Sequence, residues 1–506
     1  MLYMAAPIAT SAIKTNRTNV VGVGLRLKSR IDREVLGLSA DQAEAWQKTT
    51  EREFNIWAEN KRACDATGMN NFYGLQQLAL SSWLLSGDCI GIFKQYDVTP
   101  LLPYALRVHL IESDRIATPV QYGTGTSVVY TTGKNPTTGN TIYDGVEVDE
   151  NGAVVAYHIR SSYPFEIGAQ PNTWARVLAY QENTGLPNVL HVIECERPDQ
   201  YRGVSYLAQV IEPLLQLRRY TESELMAAVI ESFFTAFIKT NGPTDDMPYN
   251  EVEPDTTEGP NEYSMGPGQI NIMEPGEDVV FADPKHPNGS FDAFTKAISE
   301  QVGAALEVPS DLLLKSFNAS YSASRAALLE AWKAFKMRRE WLADDFCRPV
   351  YEVWMSEAVA RGRIYAPGFF TNPAIRAAYL GSEWLGPSQG QLDPVKEITA
   401  EILACSEGYS THEQSTIRLN GGQWDANVEQ LIRENEKLGG QSPDPHQAGG
   451  STDGETTERG GATEENPDNP HNPETSRQRG AEALRSLVIK ETIKQAIQGG
   501  QNNEKV

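Results

Sequence analysis

Apolar residues recur at helical spacing in the first part of the chain. In QAEAWQKTTEREFNIWAEN, Trp46, Phe54 and Trp57 fall on one helical face, and FYGLQQLALSSWLLSGDCIGIF changes from a helix pattern to a strand pattern. We interpret the opening MLYMAAPIATSAIK as the end of a helix and the VVGVGL that follows as a strand with glycines. Residues 1–95 are therefore predicted to be mainly helical.

Short alternating runs replace this pattern over residues 96–200. YALRVHLI and NVLHVIE alternate as strands do, and GVEVDENGAVVAYHIR predicts a hairpin that turns at Glu150, Asn151 and Gly152. The glycine-rich YGTGTSVVYTTGKNPTTGNT lacks the residue order of a phosphate-binding loop, so we interpret it as a mobile hairpin tip. This part of the chain is predicted to be rich in β-structure.

A long helical stretch follows over residues 204–239. Pro213 should bend it near its start. Its apolar positions recur at intervals of three, four or eight, as one buried stripe requires; they are Val210, Leu214, Leu217, Leu225, Val229 and Phe233. Residues 241–290 then hold eight of the 29 prolines and carry a local charge of −10, which predicts either a disordered acidic loop or a small β insertion.

Helix returns in FDAFTKAISEQVGAALEV and is expected to stop at Pro309. Between Pro309 and Ser322 the helical pattern lapses, and Ser322 or Ser324 can cap the next helix. That helix carries a long apolar stripe from Leu328 to Trp354, and Pro349 should kink it near Asp345. DPVKEITAEILACSEG and WDANVEQLIRENEKL predict two more helices, and residues 439–475 have almost no apolar content, so they are expected to be disordered.

Composition narrows the class of protein. The 506 residues suffice for roughly three domains of about 150 residues each. A net charge of −23 argues against a general grip on nucleic acid, because phosphate binding needs clustered Lys and Arg. The five cysteines are scattered and never spaced as C-x-x-C, which predicts free thiols in a reducing compartment and no zinc site. No stretch is long and apolar enough to predict a membrane span, and no signal peptide is predicted.

Motifs for catalysis are missing from the sequence. None of the seven histidines is paired four residues from another, so no metal site is predicted, and His109, His158 and His191 are expected to be hydrogen-bonded structural residues of strands. VVGVGL opens no helix as a dinucleotide fingerprint would, and RGVSYL has no second glycine after its serine, so it is not a nucleophile elbow. We predict no catalytic residue, no cofactor and no metal, and hence a protein that is not an enzyme.

Four long blocks together resemble a known family. YRGVSYLAQVIEPLLQLRRYTESELMAAVIESFFTAFI, LEVPSDLLLKSFNASYSASRAALLEAWKAF, FCRPVYEVWMSEAVARGRI and GPSQGQLDPVKEITAEI look like successive signature blocks of the lambda-type portal proteins of tailed phages. The resemblance runs from about residue 12 to about residue 438 in the family's own order. Several long blocks in sequence are more specific than any short motif.

The resemblance implies an α+β portal fold. It assigns an α/β wing to residues 1–203, stem helices to 204–239 and 291–308, and an acidic, β-containing clip to 240–290 between them. Residues 309–322 resemble the tunnel loop, which protrudes into the channel at its narrowest point. Residues 323–438 would hold the long kinked helix, the return to the wing and the helical crown. Residues 439–506 are an expected disordered acidic tail with an amphipathic segment able to form a last helix.

The resemblance also implies a function. Family members form a ring, usually of twelve subunits, at the portal vertex of the virion capsid, and double-stranded DNA passes through it during packaging and ejection without sequence-specific binding. Implied partners are the terminase large subunit, the head–tail adaptor, and the major capsid and scaffold proteins, with no membrane, and assembly takes place in the host bacterial cytoplasm. An alternative is another oligomeric head–tail connector or minor capsid protein without a packaging role. A nuclease or protease fused to a phage module is a third class, which the scattered histidines disfavour.

Three sets of residues are expected to form the channel loop, the partner-facing clip and the subunit interface. The channel loop would present Lys315, Ser316, Phe317, Asn318 and Tyr321 to DNA or to neighbouring loops. The clip would face terminase and adaptor with Glu251, Glu253, Asp255 and Glu258. The subunit interface would use Leu214, Leu225, Val229 and Phe233.

The start of the chain departs from the family. Members usually have several dozen residues, often Arg-rich, before the block matched by PIATSAIKTNRTNVVGVGL, whereas this chain begins almost on that block. Either the start codon is assigned too late, the chain is truncated, or an outer wing segment is missing. Any capsid or scaffold contact made through the N-terminus is therefore in doubt.

Overall fold

A computed structural model gives the fold. It describes eight stretches of the chain, namely residues 6–122, 132–163, 173–232, 236–240, 277–281, 291–317, 320–391 and 393–437. Met1–Ile432 form one unit, and Arg433–Val506 form a second unit, of which only residues 433–437 are described. Helices and antiparallel sheets occur together, as the α+β prediction requires.

The first half of the chain is a helical start followed by strands. The helices before residue 90 are α1 Pro7–Val20, α2 Arg33–Leu36, α3 Ala40–Ala58, α4 Lys61–Cys64 and α5 Phe72–Ser86. The strands up to residue 193 are β1 Arg26–Ser29, β2 Asp88–Gln95, β3 Leu106–Ile111, β4 Thr132–Lys134, β5 Thr141–Tyr143, β6 Val146–Val148, β7 Val154–Arg160, β8 Trp174–Leu178 and β9 Val189–Ile193.

The second half alternates long helices with short strand pairs. Its helices are α6 Ile211–Ser232, α7 Phe291–Ala305, α8 Ser310–Leu314, α9 Tyr321–Leu342, α10 Arg348–Ala360, α11 Pro373–Leu380, α12 Pro394–Ser406, α13 His412–Asn420 and α14 Trp424–Lys437. Its strands are β10 Ala236–Thr240, β11 Glu277–Phe281 and β12 Ser382–Leu385.

Two antiparallel sheets carry most of the β-structure. One has the order β3-β2-β9, and the other is a five-stranded meander from β4 to β8. The predicted hairpin is confirmed, because β6 and β7 pair on either side of residues 149–153. Apolar side chains from both sheets, among them Ile90, Ile111, Val146 and Ile159, form one cluster, so the two sheets share a core. Strand β1 pairs instead with the distant β12, which ties the two halves of the chain together.

The main core is aromatic and is centred on Phe54 of α3. Its ring lies 5.0–5.9 Å from those of several other aromatic residues, mostly edge-on, a favourable arrangement for aromatic pairs; they are Trp57, Phe72, Tyr351, Trp354 and Trp384. Phe54 and Trp57 are fully buried, as their shared face predicted, whereas Trp46 is half-buried and donates to the Tyr365 carbonyl at 2.9 Å.

The five-stranded sheet contains a buried carboxylate, Glu147 of β6. It accepts hydrogen bonds from His158 at 2.9 Å, from Arg176 at 2.8 Å, and from the side-chain amides of Asn135 and Asn140. Burial alone would raise the pKa of Glu147, but the hydrogen bonds from Arg176 and the two amides hold that pKa well below its usual range. His158 is therefore a hydrogen-bonded structural histidine, as predicted.

The long helical stripe is interrupted where a kink was predicted. Between α9 and α10, Ala343–Cys347 form one π-helical turn. Pro349 has no N–H to donate to the carbonyl of Asp345, so the regular ladder cannot pass this point. Burial raises the pKa of Asp345 to about 6, against a hydrogen bond from the Ile193 backbone. The widened turn keeps Phe346, Cys347, Val350 and Trp354 all fully buried.

A buried arginine, Arg338 of α9, joins four segments of the chain. Its guanidinium donates to Asn16 of α1 at 3.1 Å and to Glu307, just after α7, at 2.6 Å. It also lies 4.8 Å from the ring centroid of Tyr206, in a cation–π contact. The Tyr206 hydroxyl in turn donates to the Leu306 carbonyl and accepts from Asn16. We call these residues the Arg338 cluster: Asn16, Tyr206, Leu306, Glu307 and Arg338.

Several sequence-based boundaries were wrong near the ends of elements. VVGVGL is the end of α1 and a turn, because Gly22 and Gly24 have φ of +58° and +123° and a Cβ on Gly24 would lie 2.4 Å from Tyr73. The opening segment starts α1 at Pro7 and does not end a helix there. The helix expected over 204–239 is α6 alone, preceded by a short 3-10 turn at Ala208–Val210 and followed by β10.

Other differences have equally local causes. Pro213 lies in the first turn of α6, where a missing N–H costs no hydrogen bond, so it starts the helix instead of bending it. The cap of α9 is Ser320, whose hydroxyl accepts from the Ala323 N–H, and neither Ser322 nor Ser324. The short helices α11 and α13 were not predicted, and both begin with a side-chain cap, from Asn372 and Thr411.

The first prediction concerns Glu147. Glu147→Gln should lower the free energy of unfolding by about 2–3 kcal/mol, because Arg176 and His158 lose a charged acceptor. The pKa of Glu147 lies below its ordinary value of 4.5. Its contribution to stability is therefore present above that pH and is lost as the pH falls toward the folded value. The difference between wild type and variant, measured by urea denaturation, should shrink below that pH.

A matched control for this prediction is Glu150→Gln, at the exposed tip of the same hairpin. It removes the same charge without touching the network, so its stability should equal that of the wild type. Equal stabilities of Glu147→Gln and Glu150→Gln at neutral pH would contradict the role assigned to this carboxylate.

The second prediction concerns Arg338. Arg338→Met should lower the free energy of unfolding by about 2–3 kcal/mol, because buried Asn16 loses its partner and the cation–π contact disappears. Arg338→Lys should recover only part of this loss, since a single ammonium cannot match the guanidinium fork. Lys336→Met, at an exposed position of the same helix, is the control. If urea denaturation gave the same midpoint for Arg338→Met and Lys336→Met, the cluster would contribute no stability.

Candidate functional site: the paired helices and the adjoining segment

The helices α6 and α7 pack against each other as a pair. The ring of Tyr220 on α6 lies 5.6 Å from that of Phe291 and 4.4 Å from that of Phe294 on α7. Beyond the pair, β10 and β11 run antiparallel, with Ala236 opposite Phe281 and Thr240 opposite Glu277. The chain therefore leaves one helix and returns to the other through a strand pair.

The apolar stripe of α6 is covered over only part of its length. Leu214 and Leu217 are buried within the subunit, at 5% and 9% exposure. Further along, Leu225 is 64% exposed, Met226 59% and Val229 41%. Isolated exposed apolar residues are common, but three within five residues of one helix form a patch that a soluble surface normally avoids.

The predicted interface residues thus separate into two kinds. Leu214 is packed inside its own subunit and cannot contact a neighbour, which corrects that part of the prediction. The reason is that α7 and the turn before α6 already cover this end of the helix. Leu225 and Val229 are exposed, so their predicted place at the interface stays a prediction. Phe233 lies outside the described residues.

The segment after α7 reverses the chain tightly. The Val308 N–H donates to the Gly303 carbonyl at 3.0 Å, and Glu307 adopts a left-handed φ of 53°. A Cβ on Gly303 would lie 2.6 Å from the Val308 carbonyl oxygen, so only glycine allows this approach. Pro309 then precedes the short helix α8. The sequence predicted that the preceding helix stops at Pro309, whereas α7 ends at Ala305. It did not predict α8, because the two polar and three apolar residues of this helix are too few to show a period.

Helix α8 and Lys315 are fixed to α1. The Ser11 hydroxyl donates to the Leu313 carbonyl at 2.7 Å, and the Lys315 ammonium donates to the Thr15 hydroxyl at 2.8 Å. Leu313 is buried. The predicted free loop over 309–322 is therefore wrong for residues 310–315, and Lys315 is tied to the subunit body in this structure. The backbone of Lys315 is in the αL conformation and ends α8, as is common where a helix stops and the chain reverses.

The exposed part of this segment is short. The Ser316 N–H donates to the Asp311 carbonyl at 3.1 Å, and Phe317 is 58% exposed. Asn318 lies outside the described residues, and Tyr321 is the first residue of α9, with its side chain not described. We call residues 316–320 the connecting loop. Of the predicted channel residues, Ser316 and Phe317 are the ones that the structure places on this loop.

The acidic segment predicted as a partner-facing surface lies largely outside the described residues. This holds for Glu251, Glu253, Asp255 and Glu258, for which only the sequence-based prediction stands. The described strands β10 and β11 bound this segment on either side.

The C-terminal helices attach to the rest of the subunit through charges. Lys28 on β1 lies 3.8 Å from Glu413 and 3.9 Å from Asp425, and Lys48 on α3 contacts Glu429 at 3.0 Å. Arg30 pairs with Glu413 at 2.9 Å. By contrast, α12 and α14 have no buried residue. Ion pairs of this kind are weakened by salt, so this attachment is electrostatic more than hydrophobic.

Two arginines that matter for the geometry were missed by the sequence analysis. Arg338 lies in the run KMRREWL, between buried Phe335 and Leu342. Arg202, in RGVSYL, is largely buried and donates to Asp88 and Asp144 at 2.7 Å each. It therefore joins the two sheets immediately before the chain reaches α6. Neither arginine lies in an apolar run, so the local sequence carried no signal for their burial.

The described residues offer no chemistry for catalysis that we can identify. Within them, no group of three His, Cys, Asp or Glu side chains is arranged to hold a metal ion. Cavities of 780 and 610 Å³ lie beside α9, one toward α7 and α8 and the other toward the C-terminal helices. Both are lined by ion-paired surface charges and small or apolar residues. None of the helices in the described ranges combines the length and apolarity needed to cross a bilayer.

Comparison with known proteins gives similar relatives over most of the chain. Portal protein B of Escherichia phage lambda is 20% identical over 447 residues, which cover 84% of this chain and 80% of that protein. The portal protein of Escherichia phage N15 is 21% identical over 448 residues, covering 84% of this chain and 81% of that protein.

Solved structures with a related chain course are more distant. One is the neck of a native gene transfer agent particle computed with C12 symmetry, with 13% identity, a TM-score of 0.41, and coverage of 82% of this chain and 91% of that one. Another is the crystal structure of an HK97 family phage portal protein from Corynebacterium diphtheriae, with 12% identity, a TM-score of 0.30, and coverage of 78% and 95%.

A family model settles the assignment. The model described as "Phage portal protein, lambda family" matches residues 1–339. The match includes both sheets, the paired helices, the connecting loop and most of α9, and it covers more than half of the chain. The chain therefore belongs to the lambda family of phage portal proteins.

Proposed function

We propose that this protein assembles into a ring of twelve identical subunits at one vertex of a phage capsid. DNA would pass through the ring during packaging and ejection, and the ring would dock the terminase large subunit and the head–tail adaptor. Major capsid and scaffold proteins would surround it in the virion, and assembly would take place in the host cytoplasm. In this arrangement α6 and α7 are the stem, residues 240–290 the clip and the C-terminal helices the crown.

The observation that carries the proposal is the uncovered part of the α6 stripe. A helix gains most of its stability in a protein by burying its apolar side. In the described part of the subunit that side is buried near Leu214 and exposed at Leu225 and Met226, so a second surface is needed to cover these residues. A ring supplies one, because each subunit then presents the patch to the next.

Charge supports a conduit in preference to a DNA-binding protein. Duplex DNA carries one negative charge per roughly 1.7 Å of its axis, so a basic lining would hold it by many contacts. A subunit with a net charge of −23 repels phosphates and leaves DNA free to move. The clip, with its local charge of −10, fits a basic motor surface by the same electrostatics.

The connecting loop is proposed as the part of the subunit that meets DNA. It is held at one end by α8 on α1 and at the other by the Ser320 cap of α9. Between these ends Phe317 is exposed, although large aromatic residues are costly to leave in water. Twelve such side chains would form a collar around the channel. Lys315, which the structure ties to Thr15, would act as an anchor and not as a phosphate contact.

The third prediction tests the ring. Leu225→Asp places a charge in the uncovered stripe and should raise the concentration needed for ring formation on the order of tenfold or more, since a leucine's burial is lost. The control is Ser223→Asp, which adds the same charge at an exposed polar position of α6. Native mass spectrometry of both variants reports the assembly state. Rings that form equally well in Leu225→Asp would remove α6 from the subunit interface, and a wild type that stays monomeric would count against the proposed function.

The fourth prediction tests the loop. Phe317→Ser should leave folding and rings intact, because the side chain is exposed in the subunit, and should impair packaging or retention of DNA. Leu314→Ser, at an exposed apolar position of the neighbouring α8, is the control. Pulsed-field gels of DNA from mutant particles measure length and retention. Full-length genomes stably retained with Phe317→Ser would reject a channel role for the loop and leave a connector without packaging function.

A further inference from the structure

Helix α12 places its polar side against its own subunit, which is the reverse of an ordinary amphipathic surface helix. Its carboxylates face its own subunit: Glu401 accepts from Ser415 at 2.7 Å and from Arg418 at 2.8 Å, and Glu397 lies 3.5 Å from Arg325. The side chains of these two glutamates are only 23% and 21% exposed. The helix therefore uses its polar side for contacts within the subunit.

The apolar side of α12 faces outward. Val395 is 76% exposed, Ile398 42%, Ile402 50% and Leu403 63%. Val395, Ile398 and Ile402 are spaced by three and four residues, so they form one stripe along the helix. A helix folded for a monomer would bury this stripe and expose the glutamates. The inversion indicates that the stripe is covered in the assembled state.

Helix α14 has a second stripe that is also only partly covered. Its members lie on one side of the helix, at successive intervals of four, three and one residues; they are Trp424, Val428, Leu431 and Ile432. At its start the stripe is covered, because the ring of His412 stacks on Trp424 at 4.6 Å. At its end Leu431 is 52% exposed and Ile432 53%.

The two stripes fit a contact between copies of the chain. Both are exposed in the same subunit, so they do not cover each other within it. They lie on different helices of one C-terminal group, and two different complementary surfaces are what a head-to-tail contact requires. Such a contact repeats around a closed ring and leaves no stripe uncovered. A twofold contact would instead pair each stripe with itself.

We propose that the Val395–Ile398–Ile402 stripe of α12 in one subunit packs against the Leu431–Ile432 end of α14 in the neighbouring subunit. This inference rests on the proposed ring and adds a specific contact to it, at the C-terminal helices. It gives these helices the apolar burial that their own subunit does not provide. The charged attachment to Lys28, Arg30 and Lys48 then positions each helix group for its neighbour.

Cross-linking between two chains that each carry one accessible cysteine tests the contact. Both chains carry Cys195→Ser and Cys405→Ser, which remove the native thiols that are not buried. One also carries Ile402→Cys and the other Leu431→Cys, and they are mixed in equal amounts, assembled and treated with a short thiol cross-linker. We expect a strong cross-linked dimer from the mixture and none from either chain alone.

Controls separate this contact from its alternatives. Lys396→Cys lies on another side of α12 and should not cross-link to Leu431→Cys. Rings that assemble but give no dimer from the mixture would overturn the inference and leave the ring itself standing. Dimers formed by the Ile402→Cys chain alone would overturn it in favour of a twofold contact. A cross-link within one chain that carries both cysteines, at a dilution where only monomers exist, would overturn it in favour of a contact inside the subunit.

Assembly gives a second readout. Ile402→Glu should raise the concentration for half-assembly at least tenfold, whereas Lys396→Gln, with the same change in charge, should alter it less than twofold. Circular dichroism should show equal helix content for both, because each residue is exposed in the subunit. Equal effects of the two substitutions would mean that charge, and not the apolar stripe, governs the contact.

Discussion

The guanidinium of Arg338 is the point on which the arrangement of long helices depends. It is 3% exposed and sits where α1, the segment before α6, the end of α7 and α9 come together. A charge in that position is costly without partners, and here an amide oxygen and a carboxylate accept from its two terminal nitrogens while an aromatic ring lies beside it. The paired helices therefore leave and rejoin the subunit at one site, held by polar contacts of defined direction. Apolar packing alone would let the pair tilt.

With distance from Arg338, fewer of the apolar residues are buried within the subunit itself. Near Arg338 the apolar residues are buried, whereas the distant end of α6 and the C-terminal helices expose theirs. The same gradient appears in the carboxylates of ion pairs: Glu147 and Asp88 are fully buried, whereas Glu397 of α12 and Glu429 of α14 are 21% and 54% exposed. Such a division suits a subunit whose centre folds alone and whose extremities are completed by neighbours.

Sequence periodicity predicted the parts that depend on local pattern. The β6–β7 hairpin and the break near Asp345 both follow from Gly, Asn and Pro, whose backbone preferences act within a few residues. The strand at β10 and the short helix α8 were missed, because five residues are too few to show a period and their structure is set by β11 and by α1. Of the residues predicted for the site, Leu225 and Phe317 are exposed in the subunit and their roles stay predictions, whereas Leu214 is buried and Lys315 contacts Thr15. Their contacts are with residues far away in the chain, such as Thr15, which no local pattern contains.

The π-helical turn at Ala343–Cys347 sets the rotational phase between two halves of one long helix. Each residue advances an α-helix by about 100°. Because a π turn accommodates one residue more than an α turn, it absorbs an extra residue while the helices on either side keep the same faces toward the core. Tyr351 and Trp354 therefore reach the aromatic core around Phe54. Removing one residue from α10 between this turn and Trp354 would have no such compensation, and it would rotate Trp354 by about 100° out of that core.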